Sequence, residues 1–191
     1  MKKYFYSIKE LRKLGVKKIG KNCQISKRIS IYSSQIVLGD NVRIDDDVCL
    51  KGVVEIKNYV HIARGCTLSG GESGIYIDEF TSISNYTQFF CTSDIYNSNH
   101  VPTAAININQ IKKSDICSII SGKIKIGKCC IVGPFNIVLP NAVLGSYSTT
   151  EPYSVLLKKI KSGTISKKNG IKKKRNVTEI VKRLTLLKKI L

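Results

Sequence analysis

The stretch from Ile126 to Ser148 divides into sixes, IGKCCI VGPFNI VLPNAV LGSYS, and this period constrains the fold more than any other feature of the chain. An aliphatic residue opens each six (Ile126, Val132, Val138, Leu144), and a small side chain stands four places on (Cys130, Asn136, Ala142, Ser148). In extended chain, residues an even number apart project to the same side, so a period of six stacks one apolar row and does not make a helix stripe. Such a row belongs to a solenoid, in which each coil buries the face of its neighbour.

The same row runs upstream. It opens at Ile19, Ile25 and Ile31, slips by one residue, and continues through Leu38, Ile44, Leu50, Ile56, Ile62 and Leu68. Three sixes make a turn of eighteen, which predicts Leu38 beneath Ile56, Ile44 beneath Ile62 and Leu50 beneath Leu68. The segment GESGIY (71 to 76) is an insertion, after which the row resumes at Ile77, Ile83 and Phe89. From Cys91 to about Ser121 the period is lost, and so long a connection inside a solenoid is usually functional or disordered. The row then returns and reaches Leu156.

Both ends read as helices. Ser7 is an N-cap with Glu10 three residues on, followed by Leu11, Leu14 and a stop at Gly15. Asn176 is an N-cap with Glu179 as its capping-box partner, and Val177, Ile180, Val181, Leu184, Leu187 and Leu191 share one face. The organisation predicted is a capping helix in 1–18, an all-β solenoid over 19–157 carrying a protruding loop at 91–121, and a basic linker with an amphipathic helix in 158–191.

Composition narrows the class. At 191 residues the chain fits one domain that can bury a core without disulfides. The seven cysteines are odd in number and contain no CxxC; Cys23, Cys66 and Cys130 fall in the small slot of the repeat and are expected as buried small hydrophobes. No secretory leader or long apolar run is present, so a soluble cytoplasmic protein is expected. Most of the net charge of +19 lies from Lys158 onward, where Glu179 is the only acid, and such a tail attracts phosphate-bearing partners of any kind. Nucleic acid is not expected, because there is no groove-reading motif and the tail lacks interleaved aromatics. The last helix is expected to pack on the solenoid or on a neighbouring subunit. Lys182, Arg183, Lys188 and Lys189 leave peripheral membrane contact as an alternative.

Five segments carry a resemblance: YSIKELRKLGVKKIGKNCQIS (6 to 26), IVLGDNVRIDDDVCL (36 to 50), NYVHIARGCTL (58 to 68), TSDIY (92 to 96) and SGKIKIGKCCIVG (121 to 133). With the repeat, they make the chain resemble the hexapeptide-repeat acyltransferases. More narrowly it is similar to sugar O-acetyltransferases of lipopolysaccharide and capsule biosynthesis, relatives of the galactoside and maltose acetyltransferases. The resemblance implies a left-handed parallel β-helix, acetyl-CoA as donor, and a homotrimer with sites between subunits. The implied function is O-acetylation of a sugar hydroxyl in surface polysaccharide synthesis. The alternatives are N-acetylation of an amino sugar nucleotide, and a catalytically silent trimer that serves as a binding or scaffold protein.

Acetyl transfer to a hydroxyl needs a general base, and histidine is the usual one at neutral pH. The chain has two, His61 and His100. His61 ends the six IKNYVH, a position on the outside of the coil, with Arg43 and Ser82 as its neighbours in the coils on either side. His100 lies in the long loop. The resemblance puts Asp94 of TSDIY where galactoside-type relatives carry their catalytic histidine, so His61 with Asp94 is the expected dyad, and Asn85 and Tyr96 are expected acceptor contacts. In the family a residue following a coil glycine presents its N–H toward the thioester, a donor suited to the developing oxyanion. Here those positions are Pro134, after Gly133, and Pro152, and proline has no N–H. Lys158 and Lys172 are the expected contacts for the CoA phosphates. No metal site is expected, since two widely separated histidines do not make a three-histidine set.

Overall fold

The computed structural model describes residues 4–32, 35–96, 119–167 and 172–191. Three parallel sheets wind around one core as a left-handed β-helix of about seven turns. The first sheet has seven strands, from Lys18–Ile19 to Lys159–Ile160. The second has seven parallel strands, from Gln24–Ile25 to Thr164–Ser166, and ends in the antiparallel Lys172–Lys174. The third runs from Ser30–Ile31 to Val155–Leu156. The sheets make a three-sided prism, with a first corner between the first and second sheets, a second between the second and third, and a third where the chain re-enters the first sheet.

The predicted stacking is observed: Leu38 pairs with Ile56, Ile44 with Ile62, and Leu50 with Leu68. These residues are at most 1% exposed, and the row down to Leu156, with Thr150 its one polar member, lines one apolar core. The Gly70–Gly74 turn takes up the insertion, so that Ile56 meets Ile77 across it. The coil runs past 157: Lys159–Ile160 and Thr164–Ser166 still pair with the preceding turn, although Leu144 meets Ile160 after only sixteen residues.

From Asn41 onward every described first and second corner turns on a residue of positive φ, such as Asn41 (56°), Tyr59 (57°), Phe80 (56°), Tyr86 (58°) and Phe135 (56°). That conformation is disfavoured for side chains other than glycine. Here each such N–H donates to a carbonyl of the preceding coil, as from Tyr59 to Asp40 (2.9 Å) and from Phe135 to Asn85 (3.0 Å). The repeated bond holds the corners in register. At Gly65 (72°) glycine is required for a second reason, because a Cβ would lie 2.4 Å from the Tyr86 ring.

The helix α1 (Ile8–Lys13) has the predicted capping box, Ser7 and Glu10 each bonding the other's backbone N–H, and Leu11 plugs the end of the core. The helix α2 (Val177–Ile190) is capped by Asn176, but Glu179 does not complete a box; its carboxylate takes Arg183 Nε at 2.8 Å instead. No helix among the described residues is long and apolar enough to cross a membrane. Cys66 and Cys130 are buried in the small slots as expected, whereas Cys23, in the first coil, is only partly buried; burial pushes the Cys66 and Cys130 thiols up to about 11, which keeps them protonated.

Candidate active site

Val60 and Ile62 point inward and are at most 1% exposed, so the alternation of extended chain places His61 on the outer face of the second sheet. Arg43 and Ser82 pair directly with it on either side, Arg43 at the eighteen-residue spacing and Ser82 after the turn lengthened by the insertion. The carboxylate that His61 meets is Asp45: Nε2 lies 2.8 Å from Oδ2. Arg43 Nε donates to the other oxygen of Asp45 at 2.8 Å. Burial opposes ionisation of Asp45, yet the bonds from His61 and Arg43 outweigh it and hold the carboxyl below the usual carboxylate range. The charge of Arg43 is therefore already engaged. Beyond it Arg28 and Arg64 pair with Asp46 and Asp47, extending a charged belt around the second corner.

The helix α2 lies across the first corner beside His61. Ile180, Arg183, Leu184 and Leu187 face Tyr59, His61, Phe80, Thr81, Ser82 and Cys129 across a cleft of about 360 Å³. Tyr59 and Phe80 stack at 4.7 Å, and Lys188 Nζ sits 5.6 Å over the Phe80 ring. The cleft thus has an apolar wall and a polar end formed by His61 and Ser82. A larger groove of about 430 Å³, on the outside of the first sheet between Glu55, Lys57, Tyr76 and Lys125, contains none of the candidate residues.

Asp94 and Tyr96 lie elsewhere. The strands Thr92–Asp94 and Ile119–Ser121 pair as an antiparallel ribbon that leaves from the third corner, opposite the sheet that carries His61. Asp94 is exposed, and Tyr96, 81% exposed, bonds Ser93 Oγ through its hydroxyl at 2.8 Å. Asn85 is exposed at the second corner. His100 lies outside the described residues. Within one chain His61 and Asp94 are not brought together, and Asp45 has the position expected for Asp94. The signal for Asp45 is present in the sequence: it stands two residues after Arg43, on the same outer side, diagonally across from His61.

At the second corner, Pro134 and Pro152 each precede the positive-φ residue, Phe135 or Tyr153. The ladder uses the N–H of the following residue and the carbonyl of the preceding coil, so proline interrupts nothing, and the carbonyl of Pro134 accepts from Tyr153 N–H at 3.1 Å. Gly133 directs its own N–H inward to Thr150 Oγ1 at 3.0 Å, and a Cβ there would meet Thr150 O at 2.7 Å. It is a packing glycine. Outside this corner the Phe135 ring stacks between Tyr86 (5.2 Å) and Tyr153 (5.1 Å). Lys158 is exposed at the last third corner, and Lys172 opens the strand Lys172–Lys174. Among the described residues no group of three or more His, Cys, Asp or Glu side chains could hold a metal ion.

No protein-family model matches the chain. A curated relative, the dTDP-4-amino-4,6-dideoxy-D-glucose acyltransferase of Escherichia coli, is 30% identical over 162 residues, covering 82% of this chain and 80% of the relative. AntD, an N-acyltransferase from Bacillus cereus solved with dTDP and 3-hydroxybutyryl-CoA, matches with a TM-score of 0.88 and 33% identity over 98% of each chain. Its S84A variant, solved with dTDP-4-amino-4,6-dideoxyglucose and coenzyme A, matches at 0.89 and 33%, covering 98% of this chain and 99% of AntD. A D94N variant has also been solved. Fold and relatives together make this chain an acyltransferase of the hexapeptide-repeat, left-handed β-helix class. Within that class it belongs to the dTDP-amino-sugar acyltransferase family. The narrower likeness to sugar O-acetyltransferases and to galactoside and maltose enzymes is not what these relatives support.

Proposed function

We propose that the protein transfers an acyl group from acyl-CoA, with acetyl-CoA the simplest donor, to the amino group of a dTDP-4-amino-4,6-dideoxy sugar. The observation that carries this reading is the near end-to-end likeness to AntD, solved with both that amino sugar nucleotide and coenzyme A. An N-acyl product replaces the O-acetyl product expected from the sequence motifs. The amine nitrogen attacks the thioester carbon, the C–N bond forms, the C–S bond breaks, and the sulfur leaves as the thiol of CoA. The nitrogen must shed a proton on the way.

His61 and Asp94 are the groups we assign to that proton. AntD has been altered at a serine and an aspartate numbered 84 and 94, and this chain carries Ser84 and Asp94 at the same numbers. Ser84 begins the second corner, with its N–H on Val132 O at 2.9 Å, while Asp94 stands on the ribbon of the third. One chain holds them an edge of the prism apart, so a shared site needs a neighbouring copy, and a homotrimer is part of the reading. The exposed Ile131, Phe135, Ile137 and Val155 favour such an assembly. Ser82, Asn85 and Tyr96 serve as acceptor contacts, and Lys158 and Lys172 as contacts for CoA phosphates; the protein works in the cytoplasm. Lys182 and Lys189 on α2 suit peripheral contact with anionic lipid.

The test is thiol release from acetyl-CoA in the presence of dTDP-4-amino-4,6-dideoxyglucose. Turnover is expected, with Asp94→Asn lowering kcat by about a hundredfold or more. A folded, assembled protein that releases no thiol removes the reading.

A further inference from the structure

We propose that Asp45 is a positioning residue for acyl transfer: it fixes His61 with its proton on Nε2 and so leaves Nδ1 as the basic nitrogen offered to the cleft beneath α2. The inference rests on His61 serving the transfer reaction proposed above.

An ionised carboxylate only accepts hydrogen bonds. Asp45 is held ionised by His61 and Arg43, so the nitrogen 2.8 Å from its Oδ2 is an N–H donor. Neutral imidazole has one N–H, and its other nitrogen then carries the lone pair. Three contacts keep the carboxylate from turning away. Arg43 Nε holds Oδ1, the Asp45 N–H bonds Ile62 O at 3.0 Å, and Arg43 itself pairs with His61 across the sheet. The acid is thereby tied to the same coil that presents the base. A base oriented by a third group in this way meets the geometric condition for efficient proton transfer.

The experiment reads the two ring nitrogens of His61 by nitrogen NMR in the assembled protein, assigned with His100→Gln because the chain has only two histidines. Alongside it, kcat and both KM values are measured for Asp45→Asn, Asp45→Glu and His61→Ala. In the unaltered protein His61 is expected as the Nε2–H form. Asp45→Asn, isosteric but able to donate as well as accept, is expected to give mixed tautomers and to lower kcat by about tenfold to a hundredfold with both KM values little changed. Asp45→Glu is expected to restore part of both. If Asp45→Asn keeps the Nε2–H form and full kcat, the inference is overturned while the proposed function stands. If His61→Ala keeps full kcat, the role of His61 itself falls and that of Asp45 with it. If none of these proteins, the unaltered one included, turns over the amino sugar, the proposed function has failed, and the tautomer measurement alone reports on the Asp45 contact.

Discussion

The coils before and after the long loop fill the same inward slot in different ways. In the early coils the residue that follows each corner is apolar, as at Val42, Val48 and Val60. From the coil that meets the loop onward, the slot holds Thr81, Thr87, Asn136, Ser148 and Ser154, all buried, with Cys130 and Ala142 the apolar exceptions. Their polar atoms are satisfied between coils: Thr81 Oγ1 donates to Gly127 O at 2.9 Å, Thr87 Oγ1 to Gly133 O at 3.0 Å, and Asn136 Oδ1 accepts from Ser154 N–H at 2.7 Å. The first two bonds, with that from Cys130 N–H to Thr81 Oγ1 at 3.2 Å, join the two coils that the loop separates in sequence. Early coils follow one another directly, and burial of a stacked row suffices to place them. Across the loop the chain no longer sets the register cheaply, since closing a long connection costs entropy, and directional bonds do so instead.

This contrast can be broken by substitution. The largest effect is expected from Ile62→Ala in the dry half, about 2–5 kcal/mol of stability lost to transfer and cavity, measured by denaturant unfolding. At the junction, Thr81→Val strands the Cys130 N–H and the Gly127 carbonyl and is expected to cost about 1–3 kcal/mol. The reciprocal Val60→Thr buries a new hydroxyl, but that hydroxyl is expected to donate to the carbonyl three residues back, as Thr87 Oγ1 does to Ser84 O at 2.9 Å, and no existing bond is lost, so it should cost less, about 1 kcal/mol. Equal costs for the pair would mean that the polar slots do not set the register.

The smallest effect concerns the cap of α1. Bonds from the Ser7 backbone and hydroxyl, then Lys27, lower the Glu10 carboxyl from 4.5 to about 2. A depressed acid stabilises the folded state above its unfolded value, and that contribution is lost as pH falls through the folded one. The small difference in Tm between the unaltered protein and Glu10→Gln should therefore be full above pH 4.5 and shrink between 4.5 and about 2. A difference that grows on acidification would contradict the cap.

Period and side-chain alternation were enough to read the prism, the stacks of Leu38 on Ile56 and Ile44 on Ile62, and the row Arg43, His61, Ser82, because each depends only on counting along extended chain. The Ser7 cap was legible because it is local. Asp45 was legible only as one outward carboxylate beside Arg43: its contact with His61 is diagonal, and three consecutive aspartates compete for it in the sequence. The coil beyond 157 was hidden by a shortened turn that breaks the count. Amine and hydroxyl acceptors need the same donor and much the same base, so the residues did not separate N- from O-acylation; the relatives, which act on an amino sugar nucleotide, favour the N-acyl reading.

The most direct measurement is a competition in which the protein, acetyl-CoA, dTDP-4-amino-4,6-dideoxyglucose and dTDP-glucose are incubated together and the products identified by mass and by stability to hydroxylamine. A single hydroxylamine-stable amide on the amino sugar is the expected result. A hydroxylamine-labile ester on dTDP-glucose, with the amino sugar untouched, would contradict N-acyl transfer.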